Sequence, residues 1–304
     1  MPLTPKYQVD VLCVGAGTYD LVYSVDCDPL PDEKIRATSF AGCGGGPASN
    51  AAVTAAYLGL EAGFVGYLGR DIFGNAHFDE LLQARVLTDL VVRGEHPSAL
   101  SVVMVKPDGS RSLVNYRTPE SFLAAESVDF SAIDPKVILF DGHEPHISPD
   151  LARDARQKHI ITLLDAGSVH PGTEELAGLV DYLVCSEKFA LEFTGKSDEY
   201  SALEKLKTYA PNVVITIGER GLVWKNKVGS LGQIDPFKVE AVDTTGAGDV
   251  FHGALAACLA QNKGWGESLH YASAAGALCC TKIGARLGIP TREEVELFLA
   301  EQEK

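Results

Sequence analysis

The spacing of apolar and polar positions changes repeatedly along this chain. Residues 9–14 form a β-rich apolar run closed by Gly15, the pattern of a buried strand. Residues 47–58 are Ala-rich, and Pro47 near the first turn suits a helix start. Further strand-like runs lie at 62–66, 137–141, 160–165, 182–185 and 213–217. Helical patterns separate them at 75–84, 149–158, 187–193 and 201–209, and three helices close the chain at about 247–261, 267–283 and 291–302. Strand–helix alternation predicts an α/β fold with a doubly wound parallel sheet flanked by helices.

Two excursions break that alternation. Residues 19–25 and 35–41 are short, partly alternating runs separated by Pro29, Pro31 and Asp32. Residues 98–105 and 112–116 flank Pro107-Asp108-Gly109-Ser110, which predicts a β-hairpin. Such strands do not fit a helix-covered parallel sheet, so a separate small β-sheet is expected, inserted from about 19–41 and 98–117 into one domain spanning 1–304. Another strand-like run, 237–242, leads into a Gly-Ala-Gly turn.

With 304 residues and 46% apolar content, the chain can bury a large core. A net charge of −15 argues against a nucleic-acid or anionic-membrane partner but leaves an anionic substrate open. The seven cysteines form no C-x-x-C pair, the usage expected of reduced thiols in a cytoplasmic protein. The start, Met1 to Lys6, carries no apolar leader pattern, and no apolar run is long enough for a membrane span.

The segment with most chemistry is Asp243-Thr244-Thr245-Gly246-Ala247-Gly248-Asp249, opening an apolar helix at Val250. Small residues at a helix start expose backbone N–H groups at the positive end of the dipole, which makes an anion cradle. A carboxylate beside an anion is repulsive unless it has a task, and Asp249 is suited to take a proton from an attacking hydroxyl. The plainer alternative is a Gly-rich turn with Asp in the first helical turn.

This segment resembles the C-terminal signature of the ribokinase-like (PfkB) carbohydrate kinases. The N-terminal signature is present as Gly44-Gly45-Gly46-Pro47-Ala48-Ser49-Asn50-Ala51-Ala52, followed by Leu58-Gly59, Gly66-Tyr67-Leu68-Gly69 and Asp71-Ile72-Phe73-Gly74. The two signatures stand about two hundred residues apart in the family's order, and the resemblance covers essentially the whole chain. The runs 239–259 and 284–290 look most like the ketohexokinase and sulfofructose kinase side of the family.

The resemblance implies a ribokinase-like fold whose small sheet is a lid over the substrate. It implies ATP and magnesium, a small sugar acceptor, and a homodimer built through the lid. Asp249 would be the catalytic base, with the turn at Gly246, Ala247 and Gly248 as the anion hole. Asp20, Gly45, Gly46 and Asn50 would hold sugar hydroxyls, and Asn115, Arg117 and His143 would help select the acceptor, with Lys34 and Arg36 further candidates. Thr216, Gly218, Gly221, Thr245, Ser273 and Gly276 would contact the nucleotide. Asp243, Thr245, Gly284 and Gly288 fall where the family supplies oxygen ligands to a monovalent cation such as potassium. One departure is clear: the Asn-x-x-Glu motif that orders magnesium-bound water in many members reads Ser186-Glu187-Lys188-Phe189 here, leaving Glu187 as the candidate substitute.

Other classes fit less well. Gly15-x-Gly17 resembles half a dinucleotide fingerprint, but Asp20 stands where a third glycine is needed and would repel a pyrophosphate. His143-Glu144-Pro145-His146 has two histidines, but Pro145 disrupts the helix a zinc pair would need. A sugar-phosphate or nucleoside acceptor, and a non-catalytic sugar or nucleotide sensor, stay open. At the Arg position that grips a sulfonate in sulfofructose kinases this chain has His143, so a sulfonated substrate is not expected.

Overall fold

A computed structural model describes residues 7–302. The reading of residues 1–6 lies outside them. In chain order the structure begins with β1 (Tyr7–Val14), β2 (Thr18–Ser24), β3 (Ser39–Gly45), α1 (Pro47–Tyr57), β4 (Ala62–Val65), β5 (Tyr67–Gly69) and α2 (Ile72–Gln83). Next come β6 (Val92–Gly94), β7 (Ala99–Val105), β8 (Arg111–Tyr116), β9 (Ile133–Phe140), α3 (Ser148–Gln157), β10 (Ile161–Ala166) and α4 (Pro171–Leu176). The chain continues through β11 (Tyr182–Ser186), α5 (Glu187–Thr194), α6 (Glu199–Leu206), β12 (Asn212–Thr216), β13 (Leu222–Lys225) and β14 (Leu231–Ile234). It ends with α7 (Ala247–Ala260), α8 (Trp265–Cys279), α9 (Ala285–Gly288) and α10 (Arg292–Gln302).

The main sheet has eight strands in the order β14-β13-β12-β11-β10-β9-β1-β4. The six from β4 to β12 are parallel, as the alternation predicts, and each of the ladders joining them runs in one direction. The last two are antiparallel additions, so the sheet is mixed. The reason is chain length: a parallel crossover takes a dozen or more residues, and the few between Thr216 and Leu222 allow only a hairpin.

Strand alternation divides the core. Val11 and Cys13 of β1 face one layer, with α1, α7 and α8, while Leu12 and Val14 face the other, with α3, α5 and α6. α7 lies within the first layer and is buried from Val250 to Ala260, which is why its sequence is apolar all round.

The expected small sheet is present, with four strands in the order β3-β2-β7-β8. Two strand boundaries differ from expectation. β3 runs from Ser39 to Gly45 rather than over 35–41, because Thr18 to Ser24 pairs with the whole of it. Residues 237–242 form no strand; Val242 and Asp243 instead donate their N–H groups to the carbonyl of Cys280.

Strand order reverses around β1, which has β4 on one side and β9 on the other. In open α/β sheets a crevice opens beyond the strand C-termini at such a point. Asp141, just after β9, closes the floor of that crevice: its Oδ2 accepts from the N–H groups of Ala16 at 2.7 Å and Ala48 at 3.2 Å.

Candidate active site

Asp249 sits in the first turn of α7, whose N-cap is Gly246 in the left-handed region at φ 77°. A Cβ at Gly246 would come within 2.4 Å of the Ala285 Cβ, so this turn both needs glycine and presses against α9. Ahead of it, Asp243 Oδ1 accepts from the Thr245 N–H at 2.8 Å and from its hydroxyl at 2.6 Å, while Oδ2 accepts from the Gly284 N–H at 2.8 Å. One carboxylate thus shapes the turn and ties it to the loop before α9. The Ala247 N–H makes only a 3.4 Å bond to Thr244, which leaves the helix start open to an anion.

Asp249 Oδ2 accepts from Asn50 Nδ2 at 2.8 Å, joining α7 to α1. Burial raises the pKa of Asp249, and the Asn50 bond opposes that rise. Asp20 approaches from the small sheet. It is buried, accepts from the Thr18 hydroxyl at 2.9 Å, and its pKa is pushed up to about 6, by burial first and with a further push from the Asp249 charge. A Cβ at Gly45 would fall 2.2 Å from Asp20 Oδ2, so glycine there is the space the carboxylate occupies. Register aligns Asp20 with Ser101 of β7, and Ser101 with Asn115 of β8, so all three share one sheet face. The Ser101 hydroxyl donates to Asn115 Oδ1 at 2.9 Å.

Beneath the first turn of α7, His252 Nδ1 lies 2.6 Å from the Gly248 carbonyl and 3.3 Å from Asp165 Oδ2. Asp165, at the end of β10, is raised well above the ordinary carboxylate range by burial and then by the charges of Asp249 and Asp141. The result is a carboxylate-rich crevice facing a helix start that attracts anions. Such an arrangement can accept a hydroxyl proton on one side and hold a phosphoryl group on the other.

The sequence matches the pfkB family carbohydrate kinase model over residues 8–292. The chain belongs to that family. It is 31% identical to a ribokinase of Bacillus subtilis (strain 168), covering 96% of this chain and 99% of the relative. It is 30% identical to probable fructokinase-4 of Arabidopsis thaliana, covering 95% of this chain and 96% of the relative. The structure of Arabidopsis thaliana ribokinase complexed with ribose and ATP matches with a TM-score of 0.80 at 25% identity, covering 96% of this chain and 98% of that one. Ribokinase and fructokinase are ATP-dependent carbohydrate kinases, and this pfkB protein is an enzyme of that class. Its likeness to the ketohexokinase and sulfofructose kinase side has no counterpart in these names.

In this pfkB kinase the structure gathers Asp20, Gly45, Gly46, Asn50, Asn115 and Asp249 around one crevice. Arg117 is placed otherwise. Its guanidinium donates to Glu144 Oε1 at 2.6 Å and to the His143 carbonyl at 2.9 Å, and lies 4.0 Å over the Phe122 ring. Glu144 has no exposed surface, and burial pushes it up to about 7 against the pull of Arg117. The cation is therefore spent inside the fold, holding the His143 segment. His143 stacks on His170 with ring centroids 4.6 Å apart. Lys34 and Arg36 are exposed in the loop between β2 and β3.

On the nucleotide side, Thr216 ends β12 and Gly218 and Gly221 bracket the following short turn, at the C-terminal edge of the sheet. Ser273 donates to the Leu269 carbonyl within α8, and Gly276 lets α8 approach α7, where a Cβ would lie 3.1 Å from the Ala247 carbonyl. Gly288 lies at the end of α9, against the Cys279 carbonyl. The 186–189 window does not fit a magnesium shell. Ser186 caps α5 by accepting from the Phe189 N–H at 3.0 Å, and Glu187 is held by Arg220 at 2.5 Å. Among the described residues no three His, Cys, Asp or Glu side chains are placed to hold a metal, and no helix is long and apolar enough to cross a membrane.

Several site residues were not singled out from sequence: Ser49, His77, Ser101, Arg111, Asp165, His252 and Arg286. Most act across the fold, and Arg111, whose guanidinium donates to the Thr244 hydroxyl, joins β8 to the anion turn over 133 residues of sequence. Two had a local signal: Ser49, which stands in the N-terminal signature beside Asn50, and His252, three residues after Asp249 on the same helix face.

Proposed function

We propose that this kinase transfers the γ-phosphoryl group of ATP to a hydroxyl of a small neutral sugar. The hydroxyl proton passes to the Asp249 carboxylate as the new oxygen–phosphorus bond forms. The bond from the γ-phosphorus to its bridging oxygen breaks, and ADP leaves. N–H groups of Gly246 to Gly248 receive the transferred phosphoryl group, and Asp20 orients the acceptor by accepting from its hydroxyls. The observation that carries this reading is the 2.8 Å bond from Asn50 to Asp249 at the mouth of an open helix start. Magnesium would arrive with the nucleotide and neutralise phosphate charge; no step is assigned to residues 186–189.

A neutral acceptor is favoured because Arg117, the cation expected with Asn115 and His143 to select the acceptor, is held by Glu144, and Lys34 and Arg36 stand exposed in the loop between β2 and β3. The names of the relatives put a pentose and a ketohexose first. The turn at Asp243 and the loop at Gly284 that bonds to it would offer oxygens to potassium, a part of the proposal tested by comparing potassium with sodium. The small sheet would act as a lid and dimer surface. That surface would be the sheet face shared by Leu100, Val102 and Met104 with Val114 and Tyr116; Leu113 faces the opposite side with Val103. Light scattering that finds a monomer at every concentration removes the dimer.

The deciding experiment is ATP-dependent ADP release against ribose, fructose, other sugars, sugar phosphates and nucleosides, in the unmodified protein and in Asp249→Ala. Turnover lost with the aspartate and nucleotide binding retained supports the reading. No turnover across the panel, with sugar or ATP still bound, supports a sensor instead.

A further inference from the structure

Arg286, in α9, is 7% exposed and stands behind the base rather than in the open crevice. Its bonds go to neutral groups. Nε donates to Asn50 Oδ1 at 3.3 Å, Nη2 donates to the Ser49 hydroxyl at 2.8 Å, and Nη2 also lies 3.1 Å from His77 Nε2. Nη1 is buried with no partner among the described residues. Burying a cation with no partnered carboxylate is costly, so its place next to Asn50 calls for a reason.

Asn50 supplies one. A primary amide has an acceptor end and a donor end. Arg286 can only donate, and an ionised Asp249 can only accept. The amide lies between them with Oδ1 toward the guanidinium and Nδ2 toward the carboxylate. Turned over, it would set NH₂ against the cation and a carbonyl against the anion, two repulsive contacts. The two charges together therefore select one orientation of Asn50, which is itself 1% exposed and cannot be oriented by water.

We propose that Arg286 is a positioning residue for phosphoryl transfer, acting through Asn50: it keeps Nδ2 of the amide on the Asp249 carboxylate. The inference rests on Asp249 being the base. The charged and titratable groups around Asp249 are Asp20 from β2, Arg111 from β8, Asp141 after β9, Asp165 at the end of β10, His252 in α7 and Cys279 in α8. Around Arg286 stand Asp20, Cys43, Tyr57, Glu80 and His77, and the histidine is kept neutral by burial and by the guanidinium charge. None of these groups bonds both the arginine and the base; among the described residues Asn50 does.

The test is a cycle of Arg286→Met, Asn50→Ala and the double variant, each checked for folding by circular dichroism and thermal melting. Loss of the amide bond removes stabilisation of the charged base, so the acid limb of kcat moves to higher pH. In Arg286→Met, kcat falls about 10- to 100-fold while KM for ATP stays within about twofold. The double variant is no worse than Asn50→Ala alone, because both remove one contact chain. Where Met prevents folding, Arg286→Lys serves, since a single amine cannot span Asn50 and Ser49 as the planar fork does, and kcat again falls. An unmoved acid limb and unchanged kcat in a folded variant, or losses that multiply in the double variant, overturn the proposal. Asp249→Asn separates the two readings. Turnover that survives it removes the base itself, whereas turnover abolished by it beside an unaffected Arg286 variant removes only the role of Arg286.

Discussion

All four residues of β4 and the last four of β1 are buried in the main sheet, whereas β8 of the small sheet has no buried residue. The main sheet is covered on both faces by helices and fills two large cores. The small sheet has a buried cluster of its own of only Val22, Val103 and Val105. The first sheet is stable through packing. The second has few buried apolar contacts of its own, which gives a low local opening free energy. The proposed base and the proposed sugar-binding carboxylate are divided between the two, with Asp249 on a buried helix and Asp20 on the lightly packed sheet.

The contrast makes its largest prediction in the main core. Phe140→Ala, at a side chain with no exposure, should cost about 3–5 kcal/mol in denaturant unfolding. A cost below about 1 kcal/mol would mean that the site-side end of β9 is less tightly packed than its burial implies.

Next in size is Asp20→Asn. The Asp20 pKa is raised from 3.8 to about 6, so the folded state binds the proton more tightly than the unfolded chain. Stability of the natural protein therefore rises as pH falls from about 6 toward 3.8 and is lowered above that window. The amide carries no charge, so the variant should be more stable at pH 7.5 by on the order of 2–3 kcal/mol, with the gain fading toward pH 4. Acceptor affinity should fall at the same time. Melting curves at the two pH values check the first effect, and KM for the sugar checks the second.

Val103→Ala should cost about 1–2 kcal/mol. Hydrogen exchange should show the loss concentrated in β2, β7 and β8, with β1 and β9 protected as before. A uniform loss across both sheets would join them into one cooperative unit. The smallest effect belongs to Arg111→Ala, which removes the contact from β8 to Thr244. A rise of a few-fold in KM for the sugar, with unfolding unchanged, is expected of an exposed contact worth about 1 kcal/mol or less.

Local sequence pattern made much of this legible. The parallel strands showed as apolar runs, and the small sheet showed through the Pro107-Asp108-Gly109-Ser110 turn between its hairpin strands. Asp249 was visible because a carboxylate at an otherwise anion-attracting helix start asks for an explanation. What stayed hidden was long-range. The edge hairpin β13–β14 follows from a short connection rather than from periodicity. Arg117 reads as a surface cation until Glu144, buried 27 residues further on, is seen to need it. Arg286 and Asn50 are 236 residues apart, and nothing local to either announces the other.

Those separations also bear on how the enzyme is made. Asp141 bonds Ala16 across 125 residues and Ala48 across 93; Asn50 bonds Asp249 across 199. Contacts of this span form after local ones, because loop closure must come first. As the chain leaves the ribosome N-terminus first, β1 to β9 are available long before α7 and α9. A nascent chain that ends before residue 249 lacks the proposed base, and one that ends before residue 286 lacks the arginine proposed to position it, whatever else it has folded.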